Sequence, residues 1–342
     1  MHYLIITPRN LEDISQKELE DKKIKIIRKY YRKLLVEYQG NPIDLYQLRA
    51  PDDVLIFLNS FSDTLHFDGK LDNLYKEIKK VNLSQAINLC KKVRLLSKNP
   101  TFSVTAPIAG KRKFSQDYLK QIIAKAIKNN NLQFKKEGKH DLDFSLIIDN
   151  KNVFFGLRLF QNPLHKREYK RHSLPASLKA NIAYALLELA YVKEGDTVLD
   201  PFCGVGTIPI EAAFLKAHAL GFDINPKAIN YAQKNARRAK KEVKLEQHDA
   251  TETGLPNASV NAIVTNLPFG KQIPIKSQNS LFKNFLIEAN RIVKPKGHLV
   301  LLTHHPEAIL MLIRSMKDFS VLEKRTLSLF GLSPVVLVIK KK

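Results

Sequence analysis

The chain has 342 residues, 44% of them hydrophobic and 26% charged, with a net charge of +23 and a pI of about 9.8. That length accommodates two folded units, and no apolar run approaches the roughly 18–20 residues of a membrane span. Two cysteines exclude a disulfide framework and a four-cysteine zinc site, so a reducing cytoplasm, no membrane and no metal are the expectation. Residues 1–180 carry 34 Lys and Arg against 19 Asp and Glu, and residues 181–342 carry 22 against 14. The basic excess lies mainly in the first half, which suits a polyanionic partner; from charge alone a solvated lysine-rich surface reads equally well.

The opening Met1-His2-Tyr3-Leu4-Ile5-Ile6-Thr7 is too short for a signal peptide and reads as a strand. A helix follows, with Asn10 as N-cap and Leu11, Ile14 and Leu19 on its apolar face. Strands at 24–28 and 33–38, a short helix after Pro42 and a strand at 54–61 complete a β-α-β-β-α-β order, the ferredoxin-like pattern, over residues 1–64. Leu71, Leu74, Ile78, Leu83, Ile87 and Leu95 give residues 71–96 a helical stripe. A strand at 101–105, a basic turn Lys111-Arg112-Lys113 and a helix at 115–128 come next. Strands at 143–148 and 153–159 flank Asp149-Asn150-Lys151-Asn152, a hairpin turn. Lys166, Arg167, Lys170 and Arg171 form a strip suited to phosphates, with Tyr169 and His172 available to stack on bases. An exposed linker of ordinary lysines is the bland alternative.

From residue 196 strands and helices alternate, with strands at 197–200, 217–222, 243–248, 260–265, 297–303, 319–326 and 334–340. Ser333-Pro334 makes the last two an antiparallel hairpin at a sheet edge, so the domain reads as a seven-stranded α/β sheet. Asp200-Pro201-Phe202-Cys203-Gly204-Val205-Gly206-Thr207 joins the first of these strands to a helix. Glycines there let the backbone approach a ligand, and the helix start offers free N–H donors. Asp223 ends the next strand, where a carboxylate can accept both hydroxyls of a ribose. Asn266-Leu267-Pro268-Phe269 follows the fourth strand. Cys203 reads as a small neutral filler, since no base is spaced to activate it. Glu211 reads as an acid favouring a helix N-terminus. His304 and His305 are adjacent on a strand and cannot both face one metal ion.

Loop, acid and Asn-x-Pro-Phe in this order resemble the class I (Rossmann-like) methyltransferases that use S-adenosylmethionine to modify exocyclic amino groups of bases. The resemblance implies that Gly204 and Gly206 contact the donor, that Asp223 holds its ribose, and that Asp200 orients the loop or touches the donor's amino group. It places Asp249 near the adenine amino group, although a helix N-cap is an equal reading of that residue. It makes Asn266, Pro268 and Phe269 catalytic. The Asn oxygen and the next carbonyl accept the N–H bonds of a poorly nucleophilic amine, and the aromatic ring stacks on the displaced base. Leu267 stands where the family has a first proline, which keeps the carbonyl and loses rigidity.

Residues 65–165 resemble the RNA-binding THUMP domain through their helix, basic turn and final hairpin. Leu164-His165-Lys166-Arg167-Glu168-Tyr169-Lys170, followed by Pro175-Ala176-Ser177-Leu178-Lys179, resembles the junction in THUMP-bearing guanine-N2 methyltransferases. Leu267-Pro268-Phe269-Gly270-Lys271 resembles their tRNA branch. The implied protein has a ferredoxin-like region (1–64), a THUMP domain (65–165) and a methyltransferase domain (166–342); the sequence leaves open whether it is a monomer or an oligomer. It would form N2-methylguanosine in the acceptor stem of tRNA, at the sixth nucleotide. Lys111, Arg112, Lys113 and the 166–171 strip would contact the RNA. An enzyme acting on rRNA or another tRNA position, and a non-catalytic RNA-binding protein of the same fold, are the alternatives.

Overall fold

The computed structural model describes residues 1–62, 71–107, 114–128, 132–149, 152–175, 177–268, 275–329 and 331–342. The chain divides into two compact units, Met1–Pro8 with Ser15–Leu164, and Arg9–Ile14 with His165–Lys342. The N-terminal elements are β1 (His2–Ile6), α1 (Glu12–Asp21), β2 (Lys25–Tyr30), β3 (Lys33–Glu37), a 3-10 helix (Pro42–Gln47) and β4 (Asp53–Ser62). They continue as α2 (Asp72–Lys79), α3 (Ser84–Val93), β5 (Thr101–Thr105), α4 (Gln116–Ile127), β6 (Gln133–Phe134), β7 (Leu142–Asp149) and β8 (Asn152–Arg158).

All eight strands form one sheet in the order β2-β3-β1-β4-β8-β7-β5-β6. Its first four strands have the antiparallel arrangement of a ferredoxin-like unit, and β4 pairs with β8 to continue the sheet. Alternation along β8 sorts its side chains between two faces. Val153, Phe155 and Leu157 join the main core with Phe102 and Phe144, while Phe154 packs with Leu4 and Leu55.

The structure corrects two expectations and adds one strand. Asn10 does not cap α1, because its backbone is left-handed (φ 62°) and its side-chain amide donates to the Thr326 carbonyl at 2.7 Å. The stripe over 71–96 is two helices rather than one: α2 ends at Lys79 and α3 starts at Ser84, and between them the Asn82 side chain accepts the Ser84 N–H at 3.0 Å. The short β6 carries no sequence pattern of its own and pairs with β5 over two residues. Ser115 does cap α4, accepting the Tyr118 N–H at 3.1 Å. The basic turn Lys111-Arg112-Lys113 and the hairpin residues Asn150 and Lys151 lie outside the described residues.

The second unit comprises α5 (Ala180–Leu189), β9 (Thr197–Asp200), α6 (Thr207–Phe214), β10 (His218–Asp223), α7 (Pro226–Ala239) and β11 (Lys244–Gln247). Then follow β12 (Val260–Asn266), α8 (Ile275–Ile292), β13 (Val293–Thr303), α9 (Pro306–Ser315), β14 (Phe319–Thr326) and β15 (Val335–Lys341). The seven-stranded sheet runs β11-β10-β9-β12-β13-β15-β14, parallel except for β15, which is antiparallel to both neighbours. From β9 the chain winds outward through β10 and β11, then returns to lay β12 against the other side of β9. Strand order reverses between β9 and β12, and such a switch point opens a crevice at the carboxyl ends of the strands. Asp200 and Asn266 stand at those ends. Among the described residues no helix is long and apolar enough to cross a membrane.

Candidate active site

Between β9 and α6, Gly204 (φ 53°) and Gly206 (φ 80°) adopt left-handed backbone that side chains disfavour. A Cβ on Gly206 would lie 2.9 Å from the Ala232 Cβ, so this glycine serves the approach of α7. At Gly204 a Cβ would meet nothing within 4 Å, and the loop there faces open space. Asp223 binds this loop directly. Its Oδ2 accepts the Gly204 N–H at 2.8 Å and its Oδ1 accepts the Asn225 N–H at 2.9 Å. Each oxygen keeps a second acceptor direction, which is what two ribose hydroxyls would need.

Asp200 is buried, and its Oδ1 accepts from the Thr265 hydroxyl at 2.6 Å and the Phe202 N–H at 3.1 Å. It therefore orients the loop and locks β9 to β12. Burial pushes its carboxyl up to about 7, against the lowering effect of those donors. Cys203 is buried as well, and burial raises its thiol well above the usual range, with Asp200 and Asp223 adding to the effect. A thiol held neutral is a filler rather than a nucleophile.

Asn266 ends β12, and its Oδ1 is shielded from solvent with no hydrogen-bond partner among the described residues. Leaving a buried acceptor unmet costs about 1–3 kcal/mol. Leu267, in the family's first proline position, donates its N–H to the Leu302 carbonyl at 3.0 Å and buries its side chain in the core. Proline could make no such bond, so pairing with β13 supplies the rigidity that the substitution removes. Pro268 is half-buried beside it. Phe269, Gly270 and Lys271 lie outside the described residues.

Asp249 is exposed, and its Oδ1 closes a local turn by accepting the Thr251 N–H at 2.8 Å and hydroxyl at 2.7 Å. The neighbouring His248 ring packs on Phe222 at 4.6 Å between centroids. Among the described residues no three His, Cys, Asp or Glu side chains gather where they could hold a metal ion.

The strip at 166–171 is only partly a surface. Tyr169 is buried and its hydroxyl donates to Glu211 Oε1 at 2.7 Å. Arg167 turns inward to the same carboxylate at 3.6 Å. Glu211 is fully buried, so it anchors the strip to α6 instead of favouring a helix N-terminus. Lys170 bonds the Leu178 carbonyl, and burial lowers its ammonium to about 8. His172 stacks on Tyr231 at 5.1 Å. Lys166 and Arg171 alone of the four basic residues are exposed. The sequence signalled Asp223 and Asn266 but not Thr265 or Asn235. Buried Asn235 exchanges two hydrogen bonds with the His172 backbone, at 3.1 and 3.0 Å, and donates to the Val205 carbonyl at 3.1 Å. A polar residue on the apolar face of α7, in line with Ala228 and Ala232, was the available clue.

A family model described as the RMKL-like methyltransferase domain matches residues 167–329. The chain belongs to the class I, S-adenosylmethionine-dependent methyltransferases. A second model, described as DNA methylase, matches residues 44–234. The tRNA (guanine(6)-N(2))-methyltransferase THUMP3 of Mus musculus is 34% identical over 180 residues, 48% of this chain and 35% of that one. The chain thus spans about a third of the length of that mammalian relative. The U6 snRNA (guanine-N(2))-methyltransferase THUMPD2 of Bos taurus is 36% identical over 157 residues, 44% of this chain and 30% of that one. The tRNA (guanine(6)-N2)-methyltransferase of Archaeoglobus fulgidus is 24% identical over 338 residues, 88% of this chain and 82% of that one. The crystal structure of TrmN from Thermus thermophilus covers all of both chains with a TM-score of 0.84 at 21% identity, a likeness of fold. Gly204, Asp223 and Asn266 all stand at strand ends or in the loop after β9, on the side where a switch point opens a crevice.

Proposed function

We propose that this chain methylates the exocyclic N2 of a guanine in tRNA, in the acceptor stem and at the sixth nucleotide. The observation that carries the chemistry is the buried, unmet Oδ1 of Asn266 at the carboxyl end of β12. When bound, S-adenosylmethionine supplies an electrophilic methyl group. Gly204 and Asp223 would hold the donor, Asp223 through its remaining acceptor directions, with Asp200 fixing the loop that both depend on. Asn266 Oδ1 and the Leu267 carbonyl would accept the two N–H bonds of the amine and turn its lone pair toward the methyl. Phe269 would stack on the displaced base, and Pro268 would hold the pair in register. The product nitrogen sheds its extra proton to water, so no general base is required.

The tRNA substrate and the sixth nucleotide rest on the mouse and Archaeoglobus relatives and on the Leu267-Pro268-Phe269-Gly270-Lys271 resemblance. Residues 1–64 and 65–165 would act as ferredoxin-like and THUMP modules that grip the tRNA, and 166–342 as the transferase. Both cysteines are buried and free, in keeping with a cytoplasmic setting. The U6 snRNA relative favours a second reading, guanine N2 in another RNA. Incubation with labelled donor and tRNA, followed by nucleoside analysis, tests all of this. N2-methylguanosine that vanishes when the sixth nucleotide is changed supports the assignment. Methyl transfer that persists moves the position, and methylated adenine overturns the guanine claim.

A further inference from the structure

Helix α7 begins three residues after Asp223, at the rim of the donor crevice, and carries a charge pattern that its own stability does not explain. Residues 226–241 contain six Lys and Arg and no Asp or Glu. Lys227, Lys234 and Arg237 are exposed, as is Asn230 between them. Their spacing puts them on one stripe, opposite buried Ala228, Ala232, Asn235 and Ala236. None of the three has an ion-pair partner among the described residues, and Lys227 only approaches the Tyr231 ring, at 5.9 Å.

A helix shaped for itself alone would place acids in its first turn and pair its lysines with acids one turn away. Here the first turn holds Lys227 and no acid. Arg237, in the last turn, is the one member of the stripe that the helix dipole favours. The stripe extends sideways within the same unit. Arg238 Nε donates to the Glu168 carbonyl at 2.8 Å, and His172 stacks on Tyr231, so exposed Arg171 and Lys166 lie on a segment clamped to this helix. With 1.5 Å rise per residue, the stripe from Lys227 to Arg237 runs roughly 15 Å along the helix, long enough to follow two or three phosphates of one strand.

We infer that the outer face of α7, with Arg171 and Lys166, is a docking ridge for the phosphate backbone of the RNA substrate. This rests on the RNA reading above and adds that the methyltransferase unit grips the backbone itself, beside the crevice. Such a grip carries no sequence information; it fixes the height and angle at which a duplex meets the site.

The test uses the full chain and a fluorescent tRNA transcript, with affinity measured across a salt series. The triple substitution K227Q/K234Q/R237Q should flatten the slope of log affinity against log salt by about 2–3, near the value expected for three phosphate contacts. K227R/K234R/R237K should restore the slope, which separates charge from folding. Donor affinity, read by calorimetry, should be unchanged in both. An unaltered slope in the neutral variant overturns the ridge, as does loss of binding to phosphatidylserine vesicles with tRNA binding intact. Methylation is not part of this readout. A wild-type chain that binds tRNA through the ridge but methylates no RNA would sink the proposed activity and leave the ridge standing.

Discussion

In the N-terminal unit, Arg158 bonds Asp53 at 2.7 Å and also Asp143, which accepts from the Thr105 hydroxyl as well, at 3.0 Å. Buried Lys33 is closed off in the same way by Asp149 at 2.8 Å. These charges complete one another inside a mixed sheet, where β7 pairs antiparallel with β8 and parallel with β5. In the C-terminal unit, Asp200, Thr265 and Asn266 stand at the ends of parallel strands, and Asn266 Oδ1 has no hydrogen-bond partner among the described residues. The contrast separates two uses of buried polarity. A closed network specifies one packing, whereas an open one leaves an acceptor for a ligand to satisfy. Asp223 sits on the open side too, bound to the loop yet with acceptor capacity to spare.

Breaking the closed network should cause the largest loss. Arg158→Met leaves two buried carboxylates facing each other and should cost about 3–5 kcal/mol of stability, read from urea unfolding. A variant of near-normal stability would mean that the network is not held closed by charge. Asp200 gives the next effect, through pH. Burial lifts its carboxyl to about 7 from 3.8, so between those values the unfolded chain has released a proton that the folded chain keeps. Stability relative to Asp200→Asn should therefore fall as pH rises from 4 to 7 and level off above that, by at most about 4 kcal/mol. Parallel pH profiles for the two proteins would show Asp200 to be ionised in the fold.

Opening the open set further should cost turnover, not stability. Asn266→Ala should retain donor and RNA affinity while single-turnover methylation drops roughly 10²-fold or more, because its contacts matter as the amine attacks. Near-normal single-turnover rates would remove Asn266 from the chemistry. Asp223→Ala should weaken donor binding by about 1–3 kcal/mol in calorimetry. Unaltered affinity would leave Asp223 as a loop fastener only. The exposed Lys25–Glu37 pair, 2.8 Å apart, is the control: replacing both should leave the melting temperature where it was.

The methyltransferase sheet was legible because parallel strands buried on both faces read as short apolar runs between turns. The placement of Asp200, Gly204, Asp223 and Asn266 at strand ends and in the loop after β9 was legible as well, since strand-to-turn boundaries follow local pattern. The seven strand positions and the reversed β15 follow from local pattern. Periodicity could not separate α2 from α3, because the apolar stripe runs through the break at 80–83, nor find the two-residue β6. The strip at 166–171 shows the deeper limit. Its sequence is a run of bases and aromatics that any reader would place in solvent, yet the fold drives Arg167, Tyr169 and Lys170 inward to Glu211 and the Leu178 carbonyl. Whether a charged side chain meets water or a buried partner depends on what another segment places opposite it, and Glu211 lies 42 residues away from Tyr169. By itself the sequence determined the order of elements and the chemistry on offer at each strand end. Only the tertiary structure decided which polar groups close on one another and which, like Asn266, remain open, because hydrogen bonding between distant segments is settled by packing and not by neighbours in the chain.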